Sequence, residues 1–287
     1  MKAPPFAYVR PATLDDVLAE LAGGEAKVLA GGQSLVPVLA MRLGRPATLV
    51  DINSVAELHR FEAVAGALRI GAAVRQRTVE RAAETRAVPL IGMAMPFVGH
   101  RELRSRGTVV GSLAHADPAA ELPAVASCLD ATIEVAGPVG RRHVRASEFF
   151  AGAMTTAAGP EDVVVSVTFP AGRPGEGFGF AEIARRHGDF ALAGVATMVR
   201  VDGGGDVALA RLTGFGISDR PVTRDVTELL RTSDADLRAA TAQLAAEVVD
   251  TAGDAHGSTG YRRRLFGVLA ARELDRALSR ARTEASA

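Results

Sequence analysis

The chain has 287 residues, with 33 Lys and Arg against 33 Asp and Glu, so its formal net charge is zero. Because proteins that bind nucleic acid normally carry a basic excess or a basic stripe, this balance argues against polyanion binding as the main function. Hydrophobic residues make up 48% and charged residues 23% of the chain, which is typical of a globular protein with material for two or three packed units.

Cysteine usage is minimal, because Cys128 is the sole cysteine. This excludes an intrachain disulfide and a cysteine-held zinc or iron–sulfur site. Cys128 lies in the apolar run "ELPAVASCLDA", which favours inert core packing over reactivity. The start "MKAPPFAYVRP" lacks the apolar core of a secretory signal, and the longest uncharged run, "AVPLIGMAMPFVG", is shorter than the roughly 18 residues of a membrane helix. We therefore expect a cytoplasmic protein.

The first 55 or so residues predict a small β-α-β-like unit. Thr13, followed by Asp16, is typical of an N-capped helix that ends at Gly23-Gly24. "AKVLAGG" predicts a short buried strand that runs into a glycine turn, "SLVPVLAMRLG" predicts a helix, and "ATLVDI" predicts a second strand.

A longer mixed segment follows, up to about residue 172. "FEAVAGALRIGAAV" and "ATIEVAGPVGRRHVRA" predict β-hairpins, and "DVVVSVTFP" predicts a closing strand. "RQRTVERAAETRA" and "PLIGMAMPFVGH" favour helices. Between these elements we expect a short strand from Thr108 to Val110 and a helix from Pro118 to about Leu129.

The Pro- and Gly-rich stretch "PAGRPGEG", from Pro170 to Gly177, is the predicted linker. Beyond it, "FGFAEIARR", "ALAGVATMVRV" and "VALARLTGFGI" predict three antiparallel strands, and the remainder from about Val222 predicts three helices. The predicted fold class is α+β, with one domain over residues 1–172, in lobes of about 1–55 and 56–172, and a second over residues 177–287.

The first candidate site is the first glycine segment, residues 30–34, with the sequence Ala30-Gly31-Gly32-Gln33-Ser34. Glycines there permit positive φ and let a ligand approach the backbone closely. Ser34 can cap the next helix, whose first free N–H groups would face an anion. The G-x-G-x-x-G spacing of a dinucleotide fingerprint is absent. The same pattern also fits an ordinary strand-to-helix turn, so it leaves both interpretations open.

The second candidate site lies in "RSRGTVVGSLAHADPAAELPA", and we call residues 108–112 the second glycine segment. Gly111 and Ser112 follow the predicted strand, and Thr108 supplies a hydroxyl beside them. Glu121, nine residues after Ser112, can accept hydrogen bonds from ribose hydroxyls. Two glycine turns about 80 residues apart predict one cofactor held from two sides.

The remaining candidates are weaker. The six histidines are scattered with no i, i+4 pair, which argues against a metal site. Arg185, Arg186 and Asp189 fall on predicted neighbouring strands, where they can pair as a structural tie or reach a cofactor between the two parts. No G-x-S-x-G nucleophile elbow occurs, and we assign no catalytic residue.

Taken in order, these motifs resemble the FAD-binding medium subunit of the molybdenum hydroxylases, the xanthine dehydrogenase and aerobic carbon monoxide dehydrogenase family. "FAYVRPATLDD" resembles the family opening, "LAGGQSLVP" its first FAD loop and "RSRGTVVGSLAHADPAAELPA" its second. "ARRHGDFALAGVA" and "YRRRLFGVLAARELDRAL" resemble its C-terminal signatures. The resemblance covers nearly the whole chain.

The resemblance implies a two-lobed FAD-binding domain of the vanillyl-alcohol-oxidase type, followed by a smaller domain with a three-stranded antiparallel sheet and three helices. FAD would lie between them with its pyrophosphate on the two glycine segments. The FAD-contacting residues that it implies are Ala30, Gly31, Gly32, Gln33, Ser34, Thr108, Val109, Val110, Gly111, Ser112, Glu121, Arg186 and Asp189.

The second glycine segment departs from the family's usual Thr-Ile-Gly-Gly, because Val110 stands in place of the first glycine. The usual Asn after the glycines is Ser112. A β-branched residue disfavours positive φ and adds bulk near the phosphates. We therefore expect Val110 to hold negative φ with its side chain turned into the protein, so that Gly111 and Ser112 make the contact.

The implied function is electron transfer within a complex. A large partner subunit with a molybdenum–pterin cofactor would hydroxylate the substrate, and a small partner subunit would carry electrons through [2Fe–2S] clusters to FAD on this chain, which passes them to an external acceptor. A heterotrimer or a dimer of heterotrimers is implied. Selectivity among carbon monoxide, purines, N-heterocycles and aldehydes would lie on the partner.

Two alternatives stay open from the sequence. The first is a self-sufficient FAD-dependent oxidase of the same FAD-domain type, which requires a larger substrate domain than the C-terminal part of about 110 residues offers. The second is a non-catalytic scaffold that keeps the FAD fold without the cofactor, and Val110 is the residue that supports it.

Overall fold

The computed structural model describes residues 2–231 and 237–285. The first lobe contains β1 (Ala7–Val9), α1 (Leu14–Leu21), β2 (Ala26–Leu29), α2 (Leu35–Ala40) and β3 (Thr48–Asp51). Its three strands form a parallel sheet of order β1-β3-β2. The hydroxyl of Thr13 accepts a hydrogen bond from the N–H of Asp16 and caps α1, as predicted. The predicted β-α-β-like unit is confirmed.

The second lobe is built on a five-stranded antiparallel sheet of mixed chain order. Its elements are β4 (Phe61–Val64), β5 (Ala67–Gly71), α3 (Gln76–Arg81), α4 (Pro89–Ala94), α5 (Arg101–Arg106), α6 (Val109–His115), α7 (Glu121–Leu129), β6 (Thr132–Gly137), β7 (Gly140–Arg145), α8 (Ala146–Phe149), β8 (Phe150–Gly152), β9 (Thr155–Thr156) and β10 (Val163–Pro170). The sheet order is β4-β5-β10-β6-β7, and β8 pairs with β9 alone. Both predicted hairpins and the closing strand are confirmed. The two helical stretches predicted after β5 are shorter, because each passes into a 3₁₀ turn (Ala83–Ala87 and Met95–Phe97).

The strand predicted from Thr108 to Val110 is wrong, because Thr108 caps α6 and Val109 and Val110 form its first turn. Thr-Val-Val favours a strand locally. Here the hydroxyl of Thr108 accepts the N–H of Gly111 at 3.0 Å, and both valine side chains are buried, so capping and core packing override the local preference. The helix predicted from Pro118 begins instead at Glu121.

The C-terminal region contains β11 (Glu176–Ala184), β12 (Ala191–Val201), β13 (Val207–Phe215), β14 (Val222–Asp225), α9 (Thr227–Arg231), α10 (Leu237–Val248), β15 (Gly253–Asp254), β16 (Gly257–Ser258) and α11 (Thr259–Ala285). Within the described residues, its antiparallel sheet has four strands in the order β11-β12-β13-β14, one more than predicted. The fourth strand takes up the start of the predicted helical remainder, and its four residues are too few to show a strand period in the sequence. The three predicted helices are present, and α11 packs along β11 and β12.

One hydrophobic core joins the two regions. It contains residues of α4, α6 and α7 together with Phe178, Phe180 and Phe215 of the C-terminal sheet. The rings of Phe97 and Phe180 pack in a tilted arrangement, with their centroids 5.4 Å apart. We call the surface between residues 2–172 and the described residues 177–231 and 237–285 the seam. None of the helices in the described ranges is both long and apolar enough to cross a membrane.

The predicted linker is held against the first region. The N–H groups of Ala171 and Gly172 donate to the carbonyl oxygens of Gly66 and Ala87, at 2.9 and 2.8 Å. These bonds fix the start of β11 relative to the second lobe.

We predict that Gly177→Ala destabilises the fold. A Cβ on Gly177 would overlap the carbonyl oxygen of Ala277 in α11, and a helix backbone cannot move aside without disturbing the packing. The free energy of unfolding, measured by urea denaturation, should fall by about 1–3 kcal/mol. Gly203→Ala is the matched control, because a Cβ there meets no atom within 4 Å, and its effect should stay within about 0.5 kcal/mol. Equal losses in both variants would show that α11 does not pack this closely on β11.

Candidate functional site

The two glycine segments lie against each other. A Cβ on Gly31 would overlap the carbonyl oxygen of Arg106 and lie 2.7 Å from the Cα of Gly107, so only glycine fits. A Cβ on Gly111 would lie 3.8 Å from the Cβ of Ala30. The chain between α5 and α6 therefore packs directly on the turn between β2 and α2, which brings the two predicted loops to one place.

A polar network fixes this contact. Arg75, just before α3, donates to the carbonyl oxygen of Arg106 and, at 2.6 Å, to Oδ1 of Asn53. Nδ2 of Asn53 donates to the carbonyl oxygen of Ala30 at 2.9 Å. Burial lowers the pKa of the Arg75 guanidinium, and the neighbouring charge of Arg106 adds to this effect. The network links the first glycine segment, and the chain just before the second, to the carboxyl end of β3.

Asp51 anchors the network at the end of β3. Its carboxylate accepts from the hydroxyl of Tyr8 and from the N–H and side-chain amide of Asn53. Burial alone would raise the pKa of Asp51, but the hydrogen bonds from Tyr8 and Asn53 hold it below its ordinary value. The ionised carboxylate thus orients Asn53 towards the first glycine segment.

The first glycine segment presents unpaired donors. Within the described residues, the backbone N–H groups of residues 31–34 donate to no protein acceptor. Gly32 has φ +75°, a conformation that favours glycine. The side chain of Gln33 donates to the carbonyl oxygen of Gly31 at 3.4 Å. The expected cap by Ser34 is wrong, because its backbone is already helical (φ −94°, ψ −46°) and its side chain makes no capping bond. The segment is a row of free N–H groups.

The second glycine segment is the N-cap and first turn of α6. Val110 is 1% exposed, and it is not among the residues with positive φ, so the expected inward orientation is confirmed. Gly111 and Ser112 are half-buried on the side of Ala30. The bulk of Val110 therefore does not enter the space between the two segments.

Two carboxyl groups meet at the seam. Glu121, the first residue of α7, is 7% exposed, and burial raises its pKa to about 7. Glu182 lies on β11, and burial together with the negative charge of Glu121 raises its pKa to about 8. The pair therefore keeps a proton at neutral pH.

Arg186 and Asp189 lie in the turn between β11 and β12 and not on neighbouring strands as predicted, because β11 ends at Ala184 and β12 begins at Ala191. In the described part of the chain their side chains make no hydrogen bond or ion pair. The turn itself packs on the first region, since a Cβ on Gly188 would lie 2.8 Å from the ring of His100. Phe190, beside Asp189, is 68% exposed and offers an aromatic face next to the seam.

Sequence reasoning missed several residues of the site. Asp51 and Asn53 had a usable signal, because polar residues that follow a parallel strand gather at the carboxyl edge of the sheet, where ligands bind. Arg75 and Glu182 had none, since their partners are distant in sequence. Cys128 is fully buried and its pKa is raised to about 12 by burial, as expected for an inert thiol.

We predict that Gly31→Ala destabilises the chain by about 1–3 kcal/mol, because the added methyl group must push apart the two glycine segments. Urea denaturation of the flavin-free protein measures this loss. Gly23→Ala is the control, since a Cβ at Gly23 meets no atom within 4 Å. A Gly31→Ala variant as stable as Gly23→Ala would mean that the segments do not touch.

Comparison with known proteins follows the same division of the chain. The family described as the FAD binding domain in molybdopterin dehydrogenase matches residues 4–172, and the family described as the CO dehydrogenase flavoprotein C-terminal domain matches residues 178–277. Among solved structures, carbon monoxide dehydrogenase from Hydrogenophaga pseudoflava superposes with a TM-score of 0.92 at 30% identity and covers 98% of this chain and 99% of that chain. Quinoline 2-oxidoreductase from Pseudomonas putida 86 superposes with a TM-score of 0.89 at 34% identity, over 98% and 100% of the two chains. The predicted fold class is confirmed.

Similar sequences align over almost their full lengths. The 6-hydroxypseudooxynicotine dehydrogenase complex subunit alpha of Paenarthrobacter nicotinovorans is 36% identical, over 98% of this chain and 97% of its own. The carbon monoxide dehydrogenase medium chain of Afipia carboxidovorans is 30% identical, over 96% and 98%. The chain therefore belongs to the family of FAD-binding medium subunits of the molybdenum hydroxylases.

Proposed function

We propose that this chain is the FAD-binding electron-transfer subunit of a heteromeric molybdenum hydroxylase, which takes electrons from the [2Fe–2S] clusters of a small partner subunit and delivers them to an external acceptor. The observation that carries the proposal is the contact between the two glycine segments. Residues about 80 positions apart meet beside the free N–H groups of residues 31–34, in a chain of an FAD-binding family.

The residues present fit a dinucleotide. Four consecutive unpaired N–H groups at residues 31–34 offer donors for a pyrophosphate, and the missing side chain of Gly31 lets the backbone of Arg106 and Gly107 pack on the same turn. Arg75 adds a positive charge beside the same surface. The proposed contacts are the two glycine segments, Glu121, Arg186 and Asp189.

FAD supplies the redox chemistry when it is bound, so the chain's own task is to bind and orient the cofactor. The Asp51–Asn53–Arg75 network holds the glycine segments in place before the cofactor arrives. Such preorganisation reduces the ordering cost of binding. The hydrophobic core that joins the two regions fixes the C-terminal sheet across the seam from the first region.

The scaffold alternative loses its support in the structure. It depended on Val110 filling the cofactor space, and the side chain of Val110 is packed in the core instead. The oxidase alternative has no residue or relative that favours it, since the similar proteins named above are subunits of larger enzymes.

We further propose the assembly, the domain boundaries and the location of the chain. The assembly is a heterotrimer or a dimer of heterotrimers with a large molybdopterin-binding subunit and a small iron–sulfur subunit, which the designations "complex subunit alpha" and "medium chain" of the relatives support. The domains are residues 1–172 and 177–287, in keeping with the two family matches. The location is the cytoplasm, and the substrate is selected by the large subunit.

Co-expression with the two partner subunits tests the proposal. The purified assembly is expected to contain iron, molybdenum and flavin, and acid precipitation should release intact FAD into solution, because the two glycine segments hold it without a covalent bond. Flavin that stays with the precipitated chain contradicts non-covalent binding. Substrate turnover by this chain without its partners contradicts the electron-transfer role.

Two substitutions in α6 separate packing from cofactor binding. Val110→Gly empties a core position in a helix and should cost about 2–4 kcal/mol of stability, yet it should leave the Kd for FAD within about tenfold, or about 1.4 kcal/mol. Gly111→Val places atoms between Thr108 and Ala30 and should weaken FAD binding by well over tenfold. Titrating both flavin-free variants with FAD measures the difference, and equal losses of affinity would refute the assignment.

A further inference from the structure

A short series of backbone contacts across the seam places Glu182 near Glu121. Glu182 on β11 pairs with Gly194 on β12, and Gly194 pairs with Phe215 on β13. The next residue, Gly216, donates its N–H to the carbonyl oxygen of Pro118 at 2.8 Å, in the turn that leads into α7. The end of the C-terminal sheet is thus fastened beside the start of α7, where Glu121 lies.

Glu182 has an oxygen without a partner. Its Oε2 is fully buried and accepts no hydrogen bond from any described residue. Neither Glu182 nor Glu121 forms an ion pair with a side chain in residues 2–231 or 237–285. A buried carboxyl oxygen without a hydrogen-bond partner lowers the free energy of unfolding, and native proteins contain few such groups.

We propose that Glu182 is a further FAD-positioning residue, whose carboxyl group accepts a hydrogen bond from a hydroxyl or N–H donor of the bound cofactor opposite Glu121. The inference rests on the proposed function, because it takes FAD to be the ligand at the seam. Glu182 lies on the C-terminal sheet and outside both glycine segments, so the proposal adds a residue to the cofactor site.

Charge determines which part of FAD meets this pair. A pyrophosphate beside two carboxyl groups would be repelled, whereas the free N–H groups of residues 31–34 and Arg75 attract it. The sugar hydroxyls and the ring N–H of FAD are uncharged donors, and a carboxylate is an acceptor without donors of its own. The glycine segments therefore take the anionic part and the carboxyl pair takes a donor-bearing part.

This arrangement couples binding to a proton. A donor from FAD stabilises the ionised form of Glu182, so binding lowers the pKa of this carboxyl from about 8 and releases a proton. FAD affinity should accordingly rise with pH between about 6 and 8.5. Besides the charge of Glu121, which raises the pKa of Glu182, the charged groups that act on the pair are Asp117, which raises the pKa of Glu121, and Arg104, which lowers it.

The test measures FAD binding to the flavin-free full chain by calorimetry at pH 6, 7.5 and 8.5, in two buffers of different ionisation enthalpy. The wild-type chain is expected to release protons on binding at pH 7.5 and to bind more tightly at pH 8.5. E182Q should raise the Kd at pH 8.5 about tenfold, as expected when a hydrogen bond to a charged group is lost, and should lose most of the proton release. E62Q, which removes an exposed carboxyl on β4, is the matched control and should behave as wild type.

Thermal unfolding distinguishes this role from a structural one. Glu182 keeps its proton to a higher pH in the folded chain than in the unfolded chain, so it destabilises the fold increasingly as the pH rises from about 4.5 to about 8. Flavin-free E182Q should therefore melt at a higher temperature than wild type at pH 8.5, whereas loss of a structural contact would lower it.

Each outcome bears on one proposal. If wild type and E62Q bind FAD and E182Q binds equally well with the same proton release, the inference about Glu182 is wrong while the proposed function stands. If neither wild type nor E62Q binds FAD, the proposed function fails. The proton release of the wild-type chain needs no variant, so its absence overturns the inference even if E182Q does not fold.

Discussion

Gly31 lies on the backbone of Arg106 and Gly107, and the candidate site depends on this close approach. Neither glycine segment alone surrounds a ligand, because the first is a short turn and the second is the N-cap and first turn of α6. Arg75 stabilises the contact by donating hydrogen bonds to the carbonyl oxygen of Arg106 and to Oδ1 of Asn53. Since Asn53 in turn donates to Ala30, one guanidinium connects the first segment, the chain just before the second and the carboxyl end of β3. A ligand then meets an organised surface rather than two mobile loops.

The seam is the second structural condition for the site. The phenylalanines of the C-terminal sheet share a core with α4, α6 and α7, so the two regions pack as parts of one body. Cys128 contributes to the same interior by donating to the carbonyl oxygen of Ala196. Because this packing is apolar and extensive, the position of β11 relative to the glycine segments is set by burial. The polar groups at the seam are added to a geometry that hydrophobic packing already defines.

Glu121 and Glu182 lower the stability of this packed region. At a pH above the ordinary pKa of a carboxyl group, burial of these two groups lowers the free energy of unfolding. Neither group is paired with a cation in the described part of the chain. By contrast, the buried Glu134 is bonded to Ser166, Arg69 and Arg141, which keeps its pKa low despite burial. Glu134 thus has protein partners, whereas Oε2 of Glu182 has none among the described residues, and the proposal above assigns it a donor from the ligand.

Local patterns in the sequence determined the element types, the capped helix at Thr13, the hairpins and the positions of both glycine segments, because capping residues, turn glycines and hydrophobic period act over a few residues. They also misassigned Thr108 to Val110, where burial of two valines and one capping bond reversed a strand preference. Only the tertiary structure decided that the two segments touch, that Arg75 bonds to the chain beside them and that the charge of Glu121 reaches Glu182. These contacts link residues far apart in the chain, and no local pattern carries the geometry that brings them together.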